Sequence, residues 1–148
     1  MKVAAFLLPD KMIIETIHKK NAGTWYSSGE FTMLPLDTLS PALGDYVLNH
    51  LYQSKEKDIS YDQIKDNWKL IIKKAKFKTE KAFLQSVRRV NIIKENNKII
   101  FEPFKINTKQ KMFYRMPDYI TEIVYVPGNS EIIGKELIDS WAKCLTMP

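Results

Sequence analysis

TEKAFLQSVRRVNIIKENNKIIFEPFKI, residues 79–106, reads as a short helix feeding a β-hairpin whose register can be worked out by counting. Asn tolerates the left-handed backbone that a two-residue hairpin loop requires. Asn96 and Asn97 therefore sit at the centre of the turn, with Glu95 facing Lys98. The pairs then follow: Lys94 opposes Ile99, Ile93 opposes Ile100, Ile92 opposes Phe101, Asn91 opposes Glu102 and Val90 opposes Pro103. Side chains alternate along a strand and opposed residues share a side, so Val90, Ile92, Ile99 and Phe101 gather on one face. That face belongs to the core. Ile93, Ile100, Phe104 and Ile106 share the second face with Asn91 and Glu102, so this face should be half covered, by another strand, a helix or a partner. Pro103 has no N–H to give a ladder and is expected at a sheet edge or a strand's end.

The feeding helix spans about residues 79–87 and buries Phe83 or Leu84 with Val87. Before it, Ser60 and Gln63 stand at capping-box spacing and open a longer helix. Tyr61, Ile64, Trp68, Ile71, Ile72 and Ala75 form its apolar stripe, while Lys65, Lys69, Lys73, Lys74 and Lys76 fall largely elsewhere, as a solvated face. Further upstream, Ser40 caps a helix over residues 41–53, with Pro41 at its first position and Leu43, Val47, Leu48 and Leu51 as its stripe. Residues 2–8 and 12–19 read as strands around Pro9-Asp10-Lys11, and residues 24–34 as a third, with a bulge or break at Ser27-Ser28-Gly29.

Downstream of the hairpin, residues 107–116 are polar and basic with Phe113 and Tyr114 inside them, as a surface loop or an irregular strand. Residues 119–126 alternate, with Ile120, Glu122, Val124 and Val126 on one side and Tyr119, Thr121, Ile123 and Tyr125 on the other. So little polar content on either side marks a central strand. Ser130 caps the last helix, whose stripe is Ile133, Leu137, Ile138, Trp141 and Leu145. The expected architecture is α+β: a mixed or antiparallel sheet with β-hairpins, about four helices packed on it, and one domain over residues 1–148.

Two of these helices echo one another. Ser40 to Leu48 and Ser130 to Ile138 share a Ser, an aliphatic residue three on, a Gly (Gly44, Gly134) and an aliphatic pair. A glycine in a first turn costs about 1 kcal/mol against alanine, so its recurrence suggests close backbone approach to the sheet.

At 45% hydrophobic and 11% aromatic residues, the chain has the composition of a folded protein rather than a disordered one. Net charge is +6, unevenly spread. Residues 55–115 carry seventeen Lys and Arg against seven acids, whereas residues 1–54 and 116–148 are mildly acidic. Such asymmetry shapes steering and partner choice. The apolar run from Val3 to Leu8 is too short for a secretion signal core, no segment approaches the roughly twenty apolar residues of a membrane span, and one cysteine excludes an internal disulfide. A cytoplasmic protein without membrane contact is expected.

Only five glycines are present, and no phosphate-binding loop, dinucleotide fingerprint, nucleophile elbow or zinc-protease helix occurs. His18 on a strand and His50 on a helix read as partly exposed residues, and Cys144 as a small packing residue on the last helix. They assemble no metal site of the common kinds. Neither catalysis nor a cofactor is expected.

The run from Leu43-Gly44 through Leu48, Leu51 and Ser54, then Thr79 to Phe83 leading into Val90 to Phe101, and finally Val126 to Gly134 through Leu137 and Cys144, resembles the CdiI-type immunity proteins of bacterial contact-dependent growth inhibition. The resemblance spans about two-thirds of the chain and leaves the amino-terminal forty residues unmatched. It implies an α+β cytosolic protein that binds and neutralises the carboxy-terminal toxin domain of a cognate effector, often a nuclease. The matching positions look structural, so the family transfers no contact residue. From the residues themselves, Lys109, Lys111, Phe113, Tyr114 and Arg115 are the expected partner-binding set, aromatic anchors among charges. The competing expectation is a nucleic-acid-binding module using Arg88, Arg89, Lys94, Lys98 and Lys105. A third expectation is a structural subunit of a larger assembly docked through the half-apolar second face.

Overall fold

The computed structural model describes residues 1–147. Three strands, β1 (Lys2–Leu7), β2 (Met12–Lys19) and β3 (Trp25–Leu34), lead into three helices, α1 (Ser40–Gln53), α2 (Tyr61–Lys74) and α3 (Glu80–Ser86). The hairpin β4 (Arg88–Glu95) and β5 (Lys98–Asn107) follows, then β6 (Met112–Arg115), a 3-10 turn (Pro117–Tyr119), β7 (Thr121–Val124), α4 (Ser130–Lys143) and β8 (Leu145–Met147). One sheet holds all eight strands in the order β3-β2-β1-β4-β5-β6, with β7 and β8 also on β5. Every pairing is antiparallel except that of β8 with β5.

The hairpin forms in the counted register, from Glu95 facing Lys98 to Val90 facing Pro103. Asn96 takes the left-handed conformation (φ 54°) at its turn. Val90, Ile92, Ile99 and Phe101 are fully buried in a core that the sheet's first face shares with Leu43, Val47 and Leu51 of α1 and Ile133, Leu137 and Trp141 of α4. The second face is covered at one end by α2 and α3, whose Ile71, Ile72, Phe83 and Leu84 pack on Ala4, Phe6 and Ile13. Both Phe83 and Leu84 are buried, with Val87.

Pro103 lies inside β5, at neither an edge nor a strand's end. It is the last residue of β5 to pair with β4, and it falls between residues 98–101, which pair with β7, and residues 104–107, which pair with β6. A missing N–H does least harm where one ladder stops and the next begins. The expected bulge is present: Glu15 pairs with Phe31 but Ile17 with Ser27, and Gly29 there has φ +75°.

Other expectations are corrected. Ser40 and Ser130 are the first residues of their helices, behind Leu39 and Asn129, and neither helix has a side-chain cap. The Ser130 hydroxyl donates instead to Asp45 on α1. The recurring glycines serve helix against helix rather than helix against sheet: a Cβ on Gly44 would meet the Ser130 carbonyl oxygen at 1.8 Å, and one on Gly134 the Ser40 carbonyl oxygen at 2.0 Å. Residues 119–126 do not make a central strand. Four of them form β7, which pairs with β5 alone and leaves Val124 exposed, because the sheet ends there. Tyr61, Ile138 and Leu145 fall outside the buried stripes, and Leu145 belongs to β8. Cys144 is buried at the end of α4, where burial pushes its thiol pKa up.

Both histidines are buried, against the expectation of partial exposure. Thr16 donates its hydroxyl to the His50 carbonyl (3.0 Å), so that its oxygen accepts from Nδ1–H of the same residue (2.8 Å), and Thr32 bonds Nε2 (2.8 Å). This arrangement satisfies a neutral imidazole on both nitrogens, and burial lowers its pKa. His18 bonds Glu30 at 3.0 Å.

Candidate partner-binding surface

The end of β5 and β6 form a second hairpin in which Lys105 faces Tyr114, Ile106 faces Phe113 and Asn107 faces Met112. Its turn closes through the Asn107 side chain, which accepts from the Gln110 N–H (3.0 Å), and through Lys111, left-handed at φ 54°. Alternation splits the hairpin. Phe104, Ile106 and Phe113 point under α2, where Phe113 meets Trp68 edge-on (6.2 Å between centroids). Lys105 and Tyr114 point the other way, into a groove of ≈ 560 Å³ floored by Met116 and walled by Tyr119, Leu145 and Met147. Tyr114, Tyr119 and Leu145 are exposed there, and the Tyr114 hydroxyl donates to Gln110 (2.5 Å).

On the other side of these strands, past the rim at Arg115, lies the open part of the sheet's second face. Glu15 of β2, Ala4 of β1, Asn91 of β4 and Glu102 of β5 stand in one row, each opposite the next. Arg115 reaches back to Glu102 at 2.6 Å and lines both the groove and a ≈ 460 Å³ depression over Asn91, Ile93 and Ile100. Lys2 lines that depression and a third one, ≈ 500 Å³, bounded by Glu15, Trp25, Tyr26, Trp68 and Arg89. The two second-face hollows adjoin at Lys2, whereas the groove opens on the opposite side of β5 and β6 and meets them only at the rim, at Arg115.

Two charged groups sit at the inner end of this run. Glu15 is buried; Ser27 donates its hydroxyl, and Gly29 its N–H (3.2 Å), to one carboxylate oxygen. Burial nevertheless outweighs both bonds and pushes its pKa up to about 7. Arg89 lies with its guanidinium over Phe6, Phe104 and Phe113, 4.8–5.5 Å from the ring centroids, and gives Nε–H to Asn91 (3.0 Å). Burial lowers its pKa to about 10, yet it stays charged at neutral pH.

The expected set is only partly brought together. Tyr114 is on the groove and Arg115 at its rim, while Lys109 is exposed at the turn. Phe113 faces the interior, and Lys111 reaches Glu80 at 3.6 Å, on the α3 side. The five cations of the nucleic-acid expectation are dispersed. Arg88 bonds the Trp141 carbonyl on the α4 side, Arg89 is sandwiched by rings on the opposite side, Lys94 stands over Tyr125, and Lys98 pairs with Glu122. Sequence reading missed Glu15, Lys2 and Trp25 as site residues; a carboxylate inside the largely apolar run Met12–Ile17 was the available signal. No group of three or more His, Cys, Asp or Glu among the described residues could hold a metal, and no helix among them is long and apolar enough to cross a membrane.

Residues 2–144 match the family described as CdiI, CDI immunity protein, so the match includes the amino-terminal forty residues that the sequence reading had left out. No curated protein matches the chain. Among solved structures, a protein of unknown function, NMB0488 from Neisseria meningitidis, shares the fold at TM-score 0.83 and 18% identity, over 97% of this chain and 94% of that one. A CdiA-CT/CdiI toxin and immunity complex from Yersinia pseudotuberculosis is similar at TM-score 0.79 and 15% identity, over 97% of this chain and 96% of that one.

Proposed function

Since the chain belongs to the CDI immunity protein family, we propose that it binds and neutralises the carboxy-terminal toxin domain of a cognate contact-dependent growth inhibition effector. It acts by stoichiometric occupation of the toxin's surface, inside the cell, and not by turnover. The toxin domain is expected to be a nuclease, as the family resemblance implies. The observation that carries the reading is the family match over nearly the whole chain, joined to a fold shared with a chain in a toxin and immunity complex.

The contact we favour is the groove beside β6 with the hairpin turn next to it: Tyr114 and Arg115 on the groove, Lys109 and Lys111 on the turn outside it, and Phe113 behind the strand as inner support. Exposed aromatic and aliphatic side chains surrounded by charge are the composition from which interface anchors are drawn. Tyr114, Tyr119 and Leu145 supply the first and Lys105 and Arg115 the second.

Pull-down against the last domain of the effector encoded beside this chain tests the reading. Capture at a fixed ratio is expected. Failure to capture that domain, together with nucleic-acid affinity falling steeply with salt, would replace it with the nucleic-acid module.

A further inference from the structure

We infer that the cavity around Arg89 is a receptor for one acidic side chain of the partner protein. The inference rests on the toxin-binding reading and adds to it the chemistry of a single contact. Arg89 is a guanidinium drawn mostly out of water with no carboxylate oxygen within ion-pair reach among the described residues. Its one protein hydrogen bond leaves from Nε, to Asn91, so the two terminal nitrogens have no protein partner among the described residues and open to the cavity. Of the nearest carboxylates, Glu15 is a charged neighbour of Arg89 but is held off at Ser27 and Gly29 on the β3 bulge without reaching ion-pair distance, and Glu102 is held by Arg115 at 2.6 Å. Three aromatic rings hold the guanidinium plane in place, which leaves its fork pre-oriented. A forked donor of this kind matches a carboxylate bidentately.

The surroundings agree in sign and in access. Lys2 and Lys20 line the same cavity, so three cations face one buried carboxylate. Trp25 and Trp68 give it apolar walls in which an ion pair is little screened by water. Its ≈ 500 Å³ admits a side chain and its backbone. At Lys2 it adjoins the depression over Asn91 and Glu102, so the open part of the second face gives a partner access to it.

Calorimetric titration of the cognate toxin domain into the wild-type chain, Arg89→Met and Lys20→Glu tests this. Met keeps an unbranched apolar stem among the rings and removes the fork. Arg89→Met should bind roughly 30-fold or more weakly, as when one partner of a buried charge pair is lost, and Lys20→Glu about tenfold more weakly through slower association. Binding by both folded variants within threefold of wild type overturns the inference and leaves the toxin-binding reading standing. Absence of binding by the wild-type chain overturns the reading itself. Should Arg89→Met fail to fold, the Lys20→Glu titration decides, together with the Arg89 Nε–Hε resonance of the wild-type chain. Saturating toxin domain should shift that resonance, and an unmoved signal overturns the inference.

Discussion

Glu15 and His50 show what a buried titratable residue does to this fold. The folded-state pKa of Glu15 is raised from 4.5 to about 7, so the folded chain holds a proton that the unfolded chain releases between those values. Stability from this residue is present below pH 4.5 and is lost as pH rises through 7, by roughly 3 kcal/mol. His50 acts oppositely: its pKa is lowered by burial, so its contribution is intact above the unfolded value of 6.5 and is lost as pH falls below it. Glu15→Gln mimics the protonated acid and can still accept from Ser27 and Gly29. Urea melts should find the variant more stable than wild type at pH 8, by on the order of 1–3 kcal/mol, and nearly equal to it at pH 4. A variant less stable at pH 8 would contradict the assignment. Neither residue's environment was legible in the sequence, because burial of a polar side chain depends on what the β3 bulge and α1 bring across to β2. Thr16, Thr32 and His50 are far apart in the chain and meet only in the fold.

Elements were legible in proportion to how locally they are determined. The β4–β5 register follows from a two-residue turn and alternation, and it was recoverable in full. The seven-residue α3 falls inside the expected span 79–87, starting one residue later because Thr79 is its cap, the hydroxyl accepting from the Ala82 N–H (3.1 Å). β7 could not be placed as an edge, since its apolar alternation is the same whether or not another strand lies beyond it. The echo between α1 and α4 was visible as a pattern, but its meaning required the packing. Each helix sets its glycine against the first residue of the other. A glycine in a helix costs about 1 kcal/mol of propensity, so Gly→Ala would stabilise an unpacked helix. Here Gly44→Ala and Gly134→Ala should each destabilise, by roughly 2–3 kcal/mol, because the clash is with backbone and overpacking outweighs propensity. Chemical denaturation showing either variant as stable as wild type would mean that the two helices are not in this contact.

For the molecule as a whole, the sheet is closed by helices on its first face and only partly on its second. The half-polar second face of the hairpin already signalled this in the sequence, through Asn91 and Glu102 among isoleucines. The partner-binding set was less legible, because alternation within β6 sends Tyr114 and Phe113 to opposite sides. Replacing Tyr114 alone by Ala therefore gives a cleaner test of the groove than replacing Arg115, which would leave Glu102 buried without its partner. Tyr114→Ala should weaken toxin-domain binding by about 1–2 kcal/mol, an anchor-sized loss, with the melting temperature little changed. Affinity unchanged in that folded variant would move the contact away from the groove. The central claim, neutralisation by occupation of the toxin's surface, is tested most directly by titrating a fixed amount of active toxin domain with this chain while following toxin activity. The account predicts linear loss of activity to an end point at one chain per toxin domain. Activity that persists with the chain in excess, or that disappears at a small fraction of one equivalent as turnover would cause, contradicts it.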